Sequence, residues 1–66
     1  MARISVTLQS ETIPSASYDP ETETLELTFS SGGTYTFENV PENIFEGLQQ
    51  AGSPGSFYHQ QIKGRY

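Results

Sequence analysis

Thr24-Leu25-Glu26-Leu27-Thr28-Phe29-Ser30-Ser31-Gly32-Gly33-Thr34-Tyr35-Thr36-Phe37 is the stretch that decides the fold. Leu25, Leu27 and Phe29 alternate with Thr and Glu, the period-two pattern of a half-buried strand. Ser30 to Gly33 then form a tight hairpin whose glycines accept positive φ. Tyr35 and Phe37 share one face of the returning strand. Alternating aromatics on a hairpin usually pack beneath a helix, which assigns both rings to the core, with the Tyr35 hydroxyl at a pocket rim. The competing assignment makes them an exposed stacking platform of the kind found on sheet-based RNA binders.

Upstream, Tyr18-Asp19-Pro20-Glu21-Thr22 is a turn: the Asp side chain bonds backbone ahead of it and Pro presets φ. Ala16 and Tyr18 mark a short strand before it, expected at a sheet edge because Pro14 restricts pairing. Ile4, Val6 and Leu8 alternate with Arg3, Ser5 and Thr7, so residues 3–9 read as a further N-terminal strand. These elements make an antiparallel meander of three to four strands.

Downstream, Asn39 is expected to cap a helix while Glu42 reaches back and Pro41 sits in the first turn. Val40, Ile44, Leu48 and Ala51 form its apolar stripe, and Gly52 ends it. Phe45 falls beside that stripe, and a second copy of the chain is expected to cover either Phe45 or the strand at residues 3–9, bringing two C-terminal clusters into one composite pocket. Ser53 as cap and Pro54 at the first helical position open a second short helix, carrying Phe57, Tyr58, Gln61 and Ile62 towards Gly64. The class is α+β: a small antiparallel β-meander followed by two short C-terminal helices packed on one sheet face, one domain over residues 1–66.

Such a chain is short of core. It has 66 residues, 33% of them hydrophobic, and no cysteine for a disulfide or a zinc cluster. Small folds without such devices lean on oligomerisation, so a homo-oligomer is expected. The N-terminal stretch alternates and has no apolar signal-peptide core, no segment is long enough to span a membrane, and cysteine is absent. A cytoplasmic location, that of the host if phage-encoded, is the corresponding expectation. A net charge of −5 argues against long double-stranded DNA as a partner.

Charge is divided along the chain. All eight carboxylates lie between Glu11 and Glu46, whereas Ser53 to Tyr66 holds the only histidine and two of the three basic residues. Rings beside positive charge are the composition that holds a nucleotide. Tyr35, Tyr58, His59, Lys63, Arg65 and Tyr66 are therefore the candidate ligand-binding residues. The plainer account is an amphipathic helix burying Phe57 and Ile62, with Lys63 and Arg65 answering the helix dipole. Catalysis is not expected: one His, no Cys and an Asp committed to a turn leave too few convergent groups. No cofactor or metal is expected either.

The run Ser17-Tyr18-Asp19-Pro20-Glu21, the hairpin, Val40-Pro41, and then Ser53, Gly55, Phe57-Tyr58, Ile62, Lys63, Gly64 and Tyr66 together resemble the KTSC domain. That family takes its name from the C-terminus of some lysyl-tRNA synthetases and also occurs as free-standing small proteins of bacteria and phages. The resemblance covers about residues 10–66 and leaves the N-terminal strand outside it. The family's Tyr-x-Tyr motif corresponds to Tyr35-Thr36-Phe37, with one hydroxyl lost. Pro54 stands where the family usually has a basic residue, and His59 where it has Asn. Together with the C-terminal basic–aromatic cluster, the resemblance leads to the expectation of a non-catalytic binding module for RNA or a small nucleotide, cyclic or signalling nucleotides included, sequestered by a homo-oligomer. The alternative is a protein-interaction adaptor or assembly component using the acidic body and an edge strand.

Overall fold

Chain order and sheet order coincide. In the computed structural model, which describes residues 3–66, the strands β1 (Ile4–Thr7), β2 (Ser15–Asp19), β3 (Thr24–Thr28) and β4 (Thr34–Phe37) form one antiparallel sheet in the order β1-β2-β3-β4. Two helical segments follow, α1 (Glu42–Gln50) and α2 (Pro54–Phe57), the latter running into a π-helical turn at Tyr58–Ile62. The α+β class and the meander-then-helices order agree with the sequence reading. β2 is internal, however, and β1 takes the edge: Pro14 precedes β2 and offers its carbonyl to the Leu8 N–H at 2.8 Å, so it costs the ladder nothing.

The register sorts the side chains into two faces. Ile4 lies opposite Tyr18, Tyr18 opposite Leu25 and Leu25 opposite Phe37; the neighbouring row is Val6, Ala16, Leu27 and Tyr35. The opposite face carries Ser5, Ser17, Glu26 and Thr36 in one row and Thr7, Ser15, Thr28 and Thr34 in the next. Across this hydroxyl face Arg3 forms an ion pair with Glu26 and reaches Ser17 at 3.4 Å, tying β1 to β3.

The helices cover the apolar face. Ile13, Tyr18, Leu25, Leu27, Val40, Leu48 and Ile62 have no exposed surface, and Phe45 has 2%. Phe45 is thus a core residue and not a dimer contact. Its ring stacks on Tyr18, centroids 5.1 Å apart and planes 16° off parallel. Tyr18 belongs to the same core, and its hydroxyl donates a 2.6 Å hydrogen bond to the Val40 carbonyl. Burial pushes the Tyr18 phenol pKa up, helped by the carboxylates of Glu23, Glu42 and Asp19. Two residues expected in the core lie outside it: Ile4 is 39% exposed and Tyr35 55%, since β1 and β4 are the sheet's edges.

Asn39 does not cap α1. It adopts φ +60°, a left-handed conformation that Asn tolerates, at the corner between β4 and α1. Pro41 occupies the cap position without a side-chain hydrogen bond, and the Val40 N–H is satisfied by the Glu23 carbonyl at 2.9 Å. α1 ends at Gln50, with Ala51 extended and Gly52 beyond it. Ser53 does cap α2, accepting from the Ser56 N–H with Pro54 in the first turn. Asp19 likewise accepts from the Glu21 N–H at 3.0 Å, and Gly32 takes φ +107° in the β3–β4 turn.

α1 and α2 approach closely at Gly47, where an added Cβ would stand 2.8 Å from Cζ of Phe57. Gly47→Ala gains about 1 kcal/mol of helix propensity but overpacks the half-buried Phe57 ring, a change costing ~1–3 kcal/mol. The expected net result is a loss of roughly 1 kcal/mol, read as a lowered urea midpoint at unchanged m-value.

Candidate ligand-binding site

Five aromatic rings, four of Phe and Tyr and one imidazole, run edge to face along one side of the domain. Tyr35 meets Phe29 (5.1 Å, 86°), Phe29 meets Tyr58 (5.2 Å, 74°), and Tyr58 meets both Phe37 (5.9 Å) and His59 (5.4 Å). Edge-to-face contact is the favoured geometry for such rings and fixes their orientation. β4 and Phe29, the residue that follows β3, supply one half of the run, and the π turn supplies the other.

The π turn positions Tyr58 and His59. The Lys63 N–H closes on the Tyr58 carbonyl at 2.8 Å, spanning five residues, so the turn is wider than an α turn by one residue. Ile62 is thereby seated in the core while Tyr58 stays half-buried against Phe29 and Phe37 and His59 faces outward. Such turns are uncommon and recur at functional sites. Gly64, at φ +82°, then bends the chain so that Arg65 and Tyr66 return to β4.

That return forms an open groove of about 640 Å³ lined by Thr36, Phe37, Glu38, Asn39, Arg65 and Tyr66. Phe37 is the shared wall, touching Tyr58 on one side and lining the groove on the other. Arg65 is steadied by a 3.3 Å bond from Nε to the Gln60 carbonyl, and Tyr66 is 40% exposed. Among the described residues neither Lys63 nor Arg65 has a carboxylate within ion-pair distance. Glu38 lines the groove and sets a negative charge there, so an anionic group would sit towards Arg65.

Of the six candidate residues, the structure places Tyr35, Tyr58 and His59 along one aromatic run and Arg65 and Tyr66 in the adjoining groove. Lys63 is exposed and borders neither. Phe29 and Phe37, read from the sequence as core, are the pieces that join the two halves. Their signal was the alternation with Tyr35 across the hairpin, since residues paired directly across a ladder share a face. Among the described residues no group of three His, Cys, Asp or Glu side chains could hold a metal ion, and no helix is long and apolar enough to cross a membrane.

Comparison with known proteins gives a consistent picture. The fold superimposes on the crystal structure of a KTSC domain protein from Yersinia pestis with a TM-score of 0.90 and 36% identity, covering 97% of this chain and 90% of that one. An uncharacterized protein of Stutzerimonas stutzeri is 41% identical over 61 residues, 92% of this chain and 86% of that protein. A lysine–tRNA ligase of Nostoc is 43% identical over 49 residues, 74% of this chain but 9% of the ligase. The KTSC family model matches residues 9–66, all four strands but the first and both helical segments included. On that match, and on the shared fold, the chain belongs to the KTSC domain family.

Proposed function

We propose that this domain is a non-catalytic binding module for single-stranded RNA or a small nucleotide. One observation carries the reading: an aromatic run with Tyr35 more than half exposed adjoins a groove holding Arg65 and Tyr66. Bases stack on exposed rings with little regard to sequence, and an unpaired guanidinium such as that of Arg65 meets phosphate. The occurrence of the same domain within a lysine–tRNA ligase, whose substrate is a tRNA, supports it further. A cytoplasmic location and the absence of catalytic activity belong to the same proposal.

Titration calorimetry against short single-stranded RNAs and a panel of linear and cyclic nucleotides tests it. Saturable heat is expected from at least one class, and none from any at millimolar concentration would end the reading. Tyr35→Ala is expected to weaken binding by about 1–3 kcal/mol, roughly 5- to 150-fold, the worth of one stacked base. Its thermal unfolding should change little, because the Tyr35 ring is mostly in solvent. Should no nucleotide bind, retention of a host protein after nuclease treatment would favour the adaptor reading, with an edge strand as the contact.

A further inference from the structure

We propose that β1 is the contact through which two copies of this chain join, antiparallel and edge to edge, about a two-fold axis at Ser5. The direction of the free backbone groups follows from two bonds. The Leu8 N–H donates to Pro14, and this pair continues the β1–β2 register. In an antiparallel ladder, bonded and non-bonded pairs alternate, so Ile4 and Val6 also turn their N–H and C=O groups towards β2. The Phe29 N–H bond to Gly33 fixes the same alternation independently from the other side of the sheet. Ser5 and Thr7 therefore direct both backbone groups outward, as does Arg3 before them.

Only an outward-facing residue can bond an outward-facing residue of the second copy. This condition pairs Arg3, Ser5 and Thr7 with one another, and it also places Ile4 and Val6 on the same face in both copies. Pairing Ser5 with Ser5 sets Arg3 against Thr7 and Ile4 against Val6, and uses every outward group from Arg3 to Thr7. Ile4, 39% exposed at the open end of the apolar face, is then covered by an apolar neighbour.

Charge permits this contact despite a net charge of −5. β1 contains no carboxylate, and Arg3 forms an ion pair with Glu26 across the sheet. Among the described residues the edge is unguarded: Ile4–Thr7 has no Lys, Pro or bulge, devices by which edge strands avoid pairing. β4, the other edge, is bordered by Arg65, Tyr66 and Glu38. The joined molecule has one continuous eight-stranded sheet with a ligand groove at each far end, so the grooves stay separate.

Sedimentation equilibrium across a hundredfold dilution reads the assembly directly, with a mass twice 7.3 kDa expected at high concentration. Ser5→Pro removes one outward N–H and leaves the β1–β2 bonds intact, so it should give a folded chain of half that mass. Ser5→Cys supplies a readout if that variant does not fold. Opposed bonded residues have Cα atoms about 5.5 Å apart, within disulfide range, and the chain has no other cysteine. Complete cross-linking is expected with oxidised glutathione as the electron acceptor, which leaves as two reduced glutathione thiols. A monomer at every concentration, a dimeric Ser5→Pro, or a dimer whose Ser5→Cys form does not cross-link would each overturn the proposal.

Discussion

Phe45→Ala is expected to leave the domain largely unfolded at 25 °C. The ring is 2% exposed and stacked on Tyr18, with Leu48 and Val40 in the same buried cluster. Removing a buried Phe costs about 3–5 kcal/mol, the transfer of the ring plus the cavity it leaves. A single core in a chain of this length rarely supplies more than about 3–5 kcal/mol, so the loss takes most or all of it. Circular dichroism and a urea titration check this. A variant that keeps a cooperative transition within 1 kcal/mol of the parent would show that the cavity collapses around Tyr18.

Tyr18→Phe keeps the ring stack and removes one oxygen, yet a cost of about 1–3 kcal/mol is expected because the buried Val40 carbonyl loses its donor. The same hydroxyl gives a pH signature. Its folded pKa is raised above the ordinary 10.0, chiefly by burial and then by Glu23, Glu42 and Asp19. Above about pH 10 the unfolded chain releases this proton while the folded chain holds it, so unfolding becomes proton-releasing and rising pH destabilises the fold. This contribution is whole below the unfolded pKa and is lost as pH climbs through the folded one. Unfolding midpoints between pH 8 and 11 should fall more steeply for the parent than for Tyr18→Phe. Equal slopes would mean that the phenol titrates freely in the fold.

The hairpin from Thr24 to Phe37 was legible because alternation and a glycine turn are local signals, as was the Ser53–Pro54 helix start. Strand order was not. Whether β1 or β2 forms the edge depends on which strand finds a second neighbour, and Pro14 misled because its carbonyl, unlike its nitrogen, can bond. Asn39 carries both a capping signal and a left-handed signal, and the tight corner after β4 selects the second. Phe45 looked peripheral on a stripe drawn through Val40, but Val40 lies outside the helix, so the stripe was drawn from a residue that does not share its rotation. At the site, the types of Tyr58, His59 and Arg65 could be read, but not their division. A π turn leaves no composition signal, and it is this turn that separates the aromatic run from the Arg65–Tyr66 groove.

A sheet whose strand order copies the chain has a kinetic consequence. The loops that must close are short, at residues 8–14, 20–23 and 29–33, so little chain entropy is spent before each pairing is rewarded. Local topologies of this kind form quickly, and strands can be added one after another as the polypeptide emerges. Only the C-terminal segment has a long way to return, bringing Ile62 back to seal the sheet. Every strand already has a neighbour within the unit. The same domain can therefore make up most of a short protein in Stutzerimonas and 9% of a ligase in Nostoc without either context having to teach it to fold.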